Sequence, residues 1–326
     1  MKTIVISGAC SSVGKTTLAN AIHGLFRDSV VVKIGHGDAR PGLQNFFYQH
    51  GTPFDLIRNN HHTTPFLIIE SNSILKEIEP DLAIFLDGAS PKPSAKLAES
   101  KADLISETRV DAAKITALAH RLVIEPSVMK KIVWLSGARP EPVTALVLAG
   151  GKSSRMGQDK TSLEIQGSTL LDRACHSLMP FFDQIIVSAA DASVSCPAHC
   201  ELAVDLASGQ GPLMGICSAL QKSKNHINFV VACDIPQIHL PTIRGLLSWT
   251  DTHDIVMPSF KINTSEPLFA VYTKDVLPIV QQALESGKRR IAEIFPRCKT
   301  KILSYEDGGW YFNINTPDDY THYLKK

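Results

Sequence analysis

Twice in this chain a short apolar, β-branched run feeds directly into a glycine-bearing, lysine-bearing turn. Thr3–Ile6 leads into Ala9-Cys10-Ser11-Ser12-Val13-Gly14-Lys15-Thr16-Thr17. Val143–Leu148 leads into Ala149-Gly150-Gly151-Lys152-Ser153-Ser154-Arg155-Met156-Gly157-Gln158-Asp159-Lys160. A strand that ends in backbone amides unshielded by Cβ atoms is a device for approaching phosphate. It works only at a sheet edge and, in the first case, beside a helix N-terminus. Two such starts in 326 residues predict two α/β units in tandem.

The rest of the pattern agrees. Val30–Ile34, Leu67–Ile69 and Leu82–Leu86 read as further buried strands of the first half; Ile185–Val187, Phe229–Ala232 and Leu268–Tyr272 read so in the second. Helical periodicity runs through Lys15–Phe26, Asp111–Leu122, Thr169–Met179, Leu240–Trp249 and Lys274–Leu284. Such alternation predicts two mainly parallel sheets flanked by helices, the first like a P-loop NTPase and the second Rossmann-like. The expected division is a first domain over 1–125, a connector over 126–142 and a second domain over 143–326. At the end of that connector, Gly137-Ala138-Arg139-Pro140-Glu141-Pro142 loses amide donors and disfavours helix.

Composition narrows the partners. A net charge of +1 gives no electrostatic footprint for nucleic acid or an anionic membrane. No apolar run approaches the roughly 18 residues of a membrane span, and Met1–Ile6 is too short for a signal peptide. Seven cysteines, an odd number and scattered, fit reduced thiols and a cytoplasmic location better than a disulfide framework.

In the second half, Gly150 and Gly151 let backbone amides approach a triphosphate, while Arg155 and Lys160 add two cations suited to the α-phosphate and the departing pyrophosphate. Val230-Val231-Ala232-Cys233-Asp234-Ile235-Pro236 is an apolar strand ending in a carboxylate, at the edge where α/β folds bind ligands. Magnesium prefers one or two carboxylates plus phosphate oxygens, which makes Asp234 the expected metal ligand; a helix-capping role is the bland alternative. Between them, Asp205 and Gly209-Gln210-Gly211-Pro212-Leu213-Met214-Gly215-Ile216 form a tight loop leading into a helix around Ile216–Gln221. No Ser-His-Asp nucleophile is evident, so the chemistry is one of alignment and charge neutralisation.

From Val143 to Lys326 the chain resembles the molybdenum cofactor guanylyltransferase family, the MobA type. The resemblance rests on the Leu148–Lys160 loop, Gly211–Gly215, Cys233-Asp234-Ile235-Pro236, Pro267-Leu268-Phe269-Ala270, Arg289-Arg290 and Phe312-Asn313-Ile314-Asn315-Thr316-Pro317. It implies GTP binding by Leu148, Ala149, Gly150, Lys160 and Asp205, magnesium on Asp234, and Asn313 and Asn315 beside the pterin substrate. It also implies transfer of GMP from GTP to molybdopterin, in its molybdenum or tungsten form, with molybdoenzymes as recipients of the product. One position departs from the family pattern: Ser188 follows the strand where an asparagine is frequent, and its hydroxyl is expected to replace part of the amide's nucleobase or ribose contact.

In the first half, the loop opens a helix with alanine at its first position and Gly8 adjacent. The amides around Gly14 cradle phosphate, Lys15 reaches the β/γ oxygens, Thr16 offers a hydroxyl to magnesium, and Thr17 completes the expected nucleotide-binding set. Glu70 and Asp87 each end an apolar strand, and either suits the second acidic element; Lys33-Ile34-Gly35-His36-Gly37-Asp38 is a third polar strand end. Over about residues 1–125 this resembles the molybdopterin-guanine dinucleotide adaptor family, the MobB type, which implies GTP binding with weak hydrolysis.

Other signals carry less. Cys196-Pro197-Ala198-His199-Cys200 lacks four ligands at a zinc spacing and reads as a surface loop. His61-His62 reads as solvated, and Arg289-Arg290 divides evenly between helix-end charge and phosphate contact. Three alternatives stay open: a cytidylyltransferase or sugar-phosphate relative, a non-catalytic nucleotide-binding regulator, and a P-loop kinase or ATPase with an appended module. A comparison of GTP with CTP separates the first, and product analysis the last.

Overall fold

The computed structural model describes residues 1–11, 13–35, 46–89, 91–149, 163–165, 167–207, 209–260, 264–305 and 309–324. The chain divides into two compact units, Met1–Glu141 and Pro142–Lys326.

The first unit holds a six-stranded sheet in the order β3-β2-β4-β1-β5-β6. Its strands are β1 (Lys2–Gly8), β2 (Ser29–Gly35), β3 (Phe46–Gln49), β4 (Phe66–Glu70), β5 (Leu82–Leu86) and β6 (Leu104–Ile105), and the paired strands run parallel. A sheet covered on both faces needs strands that are apolar at every position, and the parity of β1 shows why. Ile4 and Ile6 pack with Leu18 and Ile22 of α1 (Lys15–His23), Leu118 of α4 (Ala112–Leu122) and Ile132 of α5 (Pro126–Leu135). Val5 points the other way, to a core shared with Ile57 of α2 (Phe54–Asn60) and Ala95 and Ala98 of α3 (Ala95–Ser100).

The structure changes two expectations in this unit. Residues 126–135, read as connector, are helix α5. Pro126 sits in its first turn, where a missing N–H costs nothing, and Met129, Ile132 and Val133 bury one stripe in the first core. The prolines after Gly137 mark only the last few residues before the boundary. Nor is His61 solvated. It is 7% exposed, its Nε2 lies 3.0 Å from the Tyr48 hydroxyl, the Phe46 ring packs edge-on, and burial lowers its pKa. The apolar partners sit on β3, an edge strand too short and polar-flanked to stand out in the sequence.

The second unit holds a seven-stranded mixed sheet in the order β11-β10-β7-β12-β14-β13-β15. These are β7 (Val143–Leu148), β10 (Gln184–Ala189), β11 (Glu201–Val204), β12 (Ile227–Ala232), β13 (Ile255–Ser259), β14 (Phe269–Thr273) and β15 (Thr300–Ser304); β8 (Glu164–Ile165) and β9 (Ser168–Thr169) make a separate small ladder. β7, β10, β11 and β12 are mutually parallel, while β14 runs antiparallel to β12 and β13. Leu146, Leu148, Ile186 and Val230 face a core completed by α7 (Pro212–Lys222) and α9 (Leu277–Glu285). On the opposite parity, Phe229 stacks on Phe182 and meets Phe269 edge-on. The remaining helices are α6 (Leu170–Leu178), α8 (Leu240–Leu247) and α10 (Pro317–Leu324). Among the described residues no helix is long and apolar enough to cross a membrane.

Candidate functional site

In the second unit the register of four parallel strands does the positioning. Leu148 pairs with Ser188 on one side and with Ala232 on the other, and Ala189 pairs with Val204. The residues that follow, Ala149, Asp205, Cys233 and Asp234, therefore leave the sheet along the same edge. The ladders continue past the strands: Ala149 N–H donates to the Ser188 carbonyl (2.8 Å), Asp205 N–H to Ala189 (2.8 Å), and Cys233 N–H to Leu148 (3.1 Å). Ala149 thus spends its amide on the sheet and fixes where the glycine loop departs. The order β10-β7-β12 places β7 where the winding reverses, and the crevice at such a reversal is where open α/β sheets bind ligands.

Two polar groups line this edge. On one side, the Ser188 hydroxyl donates to Asp205 Oδ1 at 3.3 Å. Burial raises the Asp205 pKa, and the Ser188 hydrogen bond opposes the shift. Gly215, in α7, is the reason both side chains fit. A Cβ there would stand 2.9 Å from Ser188 Oγ, 3.5 Å from Leu148 Cδ2 and 3.7 Å from Asp205 Oδ1. The helix starts at Pro212, after Gly211 at φ 76°, earlier than the sequence pattern indicated.

On the other side stands Asp234, half-buried, its carbonyl accepting the Ile314 N–H at 2.9 Å. That bond draws the Asn313–Asn315 segment up to the strand end. Next to it the Tyr311 hydroxyl donates to Glu266 Oε2 (2.8 Å), and Asn313 Nδ2 donates to the Tyr311 oxygen (3.3 Å). Burial first, then the Glu266 charge and its hydrogen bond, push the Tyr311 pKa upward, with Asp234 adding to the effect. Trp310 stacks on His239 (4.6 Å), and Phe260 packs against Trp310 and Tyr311. This aromatic wall and Glu266 were not found by sequence reasoning. Glu266 directly precedes the Pro267–Ala270 segment, and its carboxylate was the available signal.

Of the expected residues, Leu148, Ala149, Ser188, Asp205 and Asp234 share this edge. Gly150, Gly151, Arg155 and Lys160 lie outside the described residues. Arg289 is committed elsewhere: its guanidinium donates to the carbonyls of Leu284 (2.9 Å) and Lys288 (2.8 Å), closing the end of α9. No group of three or more His, Cys, Asp or Glu able to hold a metal exists among the described residues, the Cys196–Cys200 loop included. A single strand-end carboxylate beside a phosphate-type loop does fit magnesium, which takes few protein ligands when phosphate oxygens supply the rest.

The first unit presents a different arrangement. Gly14 caps α1 at φ 87°, a left-handed conformation that favours glycine. Val13 anchors the loop between two other glycines: a Cβ on Gly8 would lie 2.6 Å from Val13 Cγ2, and one on Gly88 2.7 Å from Cγ1. That packing accounts for glycine at position 8 while Ala9 fills the loop's first position. Lys15 Nζ donates to the Cys10 carbonyl at 2.5 Å, and burial lowers its pKa while Glu70 opposes. Thr17 is exposed in the first turn of α1.

Of the two acidic candidates, Glu70 reaches this loop. It is 5% exposed; its Oε2 accepts the Thr16 hydroxyl (2.6 Å), and its Oε1 is paired with Lys33 Nζ (2.9 Å). The exposed Asp87 carboxylate instead accepts the N–H of Gly88 (2.7 Å). Lys92 Nζ donates to Ser11 Oγ at 2.6 Å. His36, Gly37 and Asp38 lie outside the described residues. Thr16 and both oxygens of Glu70 are engaged by one another and by an ammonium, so this donor set does not fit a resident divalent cation.

A family model for the MobA-like NTP transferase domain matches residues 145–300. A probable molybdenum cofactor guanylyltransferase of Carboxydothermus hydrogenoformans is 32% identical over 193 residues, spanning 56% of this chain and 95% of the relative. One from Clostridium perfringens is 32% identical over 195 residues, spanning 56% and 96%. Among solved structures, molybdopterin-guanine dinucleotide biosynthesis protein A of Archaeoglobus fulgidus is similar with a TM-score of 0.50 and 27% identity, over 56% of this chain and 97% of that one.

Proposed function

The chain belongs to the MobA-like NTP transferase family and is a nucleotidyltransferase, and we propose that its second unit transfers GMP from GTP to molybdopterin. In that reaction an oxygen of the acceptor's terminal phosphate attacks the α-phosphorus, the α–β bridging bond breaks, and pyrophosphate leaves. The observation that carries the reading is the strand register that sets Asp205, Ser188, the start of the glycine loop and Asp234 along one sheet edge.

The residues divide the work along that edge. Ser188 and Asp205 supply a hydroxyl and a carboxylate on the nucleoside side, with Gly215 keeping the space between them open. The amides of Gly150 and Gly151 and the charges of Arg155 and Lys160 receive the triphosphate. Asp234 holds magnesium, which when bound supplies neutralising charge at the phosphate oxygens. Asn313, Tyr311 and Glu266 face the acceptor, where a paired phenol, amide and carboxylate suit a heterocycle rich in N–H and C=O groups.

For the first unit the reading is a GTP-binding adaptor role, with Gly14, Lys15 and Thr16 on the phosphates. The supporting observation is the left-handed Gly14 at the start of α1, with the Lys15 ammonium drawn into the loop.

The test is incubation with GTP, magnesium and molybdopterin, followed by identification of the products. Guanine dinucleotide and one pyrophosphate per turnover are expected. Cytosine dinucleotide formed preferentially from CTP, or guanosine diphosphate as the product, would overturn the assignment.

A further inference from the structure

The first unit's loop is ringed by ammonium groups from three separate elements. Lys15 opens α1, Lys33 stands on β2, and Lys92 reaches Ser11 from the segment after β5. Among the described residues, Glu70 is the carboxylate that meets this group directly, through Lys33 and Thr16. Lys33 is held in this ring by the sheet itself. It pairs in register with Glu70 across β2 and β4, so both side chains project from the same face toward the N-terminus of α1. Its ammonium lies 2.9 Å from Glu70 Oε1 and 3.4 Å from Thr16 Oγ1.

We propose that Lys33 is a tethered cation of the first unit's site, so that the unit binds a nucleoside triphosphate as the metal-free polyanion. This rests on the phosphate-binding reading of the Gly14–Thr16 loop given above. A divalent ion between Thr16 and a phosphate would sit within a few ångströms of the Lys33 ammonium, and like charges at that range repel. It would also have to break the Thr16–Glu70 hydrogen bond and the Lys33–Glu70 pair to gain oxygen ligands in the octahedral arrangement magnesium demands. A lysine needs neither: Lys33 is 38% exposed while Glu70 is 5% exposed, so its ammonium keeps donors for a ligand on the open side. The same arrangement gives the site no polarising metal, in keeping with binding in preference to hydrolysis.

The experiment uses the full chain and 8-azidoguanosine triphosphate, with peptides from 1–141 and 142–326 quantified separately after irradiation. First-unit labelling is expected to half-saturate within about twofold of the same concentration in magnesium and in EDTA. Lys33→Met is expected to weaken labelling in EDTA at least tenfold and to recover much of it in magnesium, while Lys33→Arg stays close to the wild type. Wild-type first-unit labelling that disappears in EDTA would overturn the proposal, whatever the variants do. So would a folded Lys33→Met protein that labels as the wild type does. Lys15→Ala separates the two levels: if it labels normally in both buffers, the underlying loop assignment fails and the tethered cation fails with it. If Lys15→Ala abolishes labelling while the wild type requires magnesium, the loop reading stands and only the role of Lys33 falls.

Discussion

The two units use the same opening, an apolar strand running into a glycine-bearing loop, and then differ in what their described carboxylates meet. In the first, the loop's carboxylate is already paired: Glu70 is buried between the Lys33 ammonium and the Thr16 hydroxyl. In the second, Asp205 takes its described hydrogen bond from a neutral hydroxyl, and Asp234 stands half-buried just past the end of β12. A carboxylate satisfied by a tethered cation has little to gain from a metal ion. On the proposed reading, the first unit holds a nucleotide and the second reacts one.

Asp234→Ala is the sharpest way to break that contrast. Loss of a charge-stabilising group acting on the transition state predicts a fall in turnover of about a thousandfold or more, ~4 kcal/mol. Near-UV circular dichroism should be unchanged, and first-unit labelling should persist. A folded Asp234→Ala protein with turnover within tenfold of the wild type removes Asp234 from the metal. Next in size, Lys15→Ala should weaken first-unit nucleotide labelling about a hundredfold, ~2.7 kcal/mol, the scale of a charged hydrogen-bonding group lost from a phosphate site. Labelling of the second unit should remain. Equal loss in both units would mean that the two loops are not separate sites.

Most of the architecture was legible because buried parallel strands are written as unbroken apolar runs, and both loops interrupt such runs with glycine. The strand-end acids Glu70 and Asp234 were legible for the same reason: a charge that closes an apolar run stands at a sheet edge. What escaped depends on pairing across the sheet. Nothing in the neighbourhood of Lys33 announces that β2 and β4 are adjacent, with β1 beyond them, so its partnership with Glu70 appears only in the register. Glu266 and Tyr311 are 45 residues apart and meet only because their segments converge beside Asp234. Helix α5 fell inside a connector read from Gly137, Pro140 and Pro142, while Pro126 opens the helix in a first turn, where proline is well placed.

The glycines offer intermediate tests. Gly215 lies inside α7, where alanine would ordinarily gain up to ~1 kcal/mol in helix propensity. Here its Cβ would press on Ser188 Oγ at 2.9 Å, so Gly215→Ala should raise the KM for GTP about tenfold, ~1.4 kcal/mol, with kcat much less affected. An unchanged KM would show that the Ser188–Asp205 pair lies away from the nucleotide. In the first unit, Gly8→Ala would drive a Cβ into Val13 Cγ2 at 2.6 Å, with Leu86 O at 3.0 Å behind it. The cost should be ~1–3 kcal/mol, read as a lower unfolding midpoint for that unit alone.

The smallest effect probes whether Asp205 acts as a carboxylate. Burial raises its pKa and the Ser188 hydroxyl restrains the rise, so affinity for GTP should begin to fall on acidification above the ordinary carboxylate range. Ser188→Ala removes the restraint and should move the onset to higher pH, with a two- to threefold rise in KM near neutrality, ~0.5 kcal/mol. The stability linkage has the opposite sign. A carboxyl group whose folded pKa is raised favours the folded state below its unfolded pKa, and that contribution is lost as pH rises through the folded value. At neutral pH the charged Asp205 is therefore a burden on the fold, and Asp205→Asn should hold or raise the unfolding temperature while weakening GTP binding. If Asp205→Asn instead lowers the unfolding temperature and leaves KM alone, the residue is structural, and the second unit recognises its nucleoside by other groups.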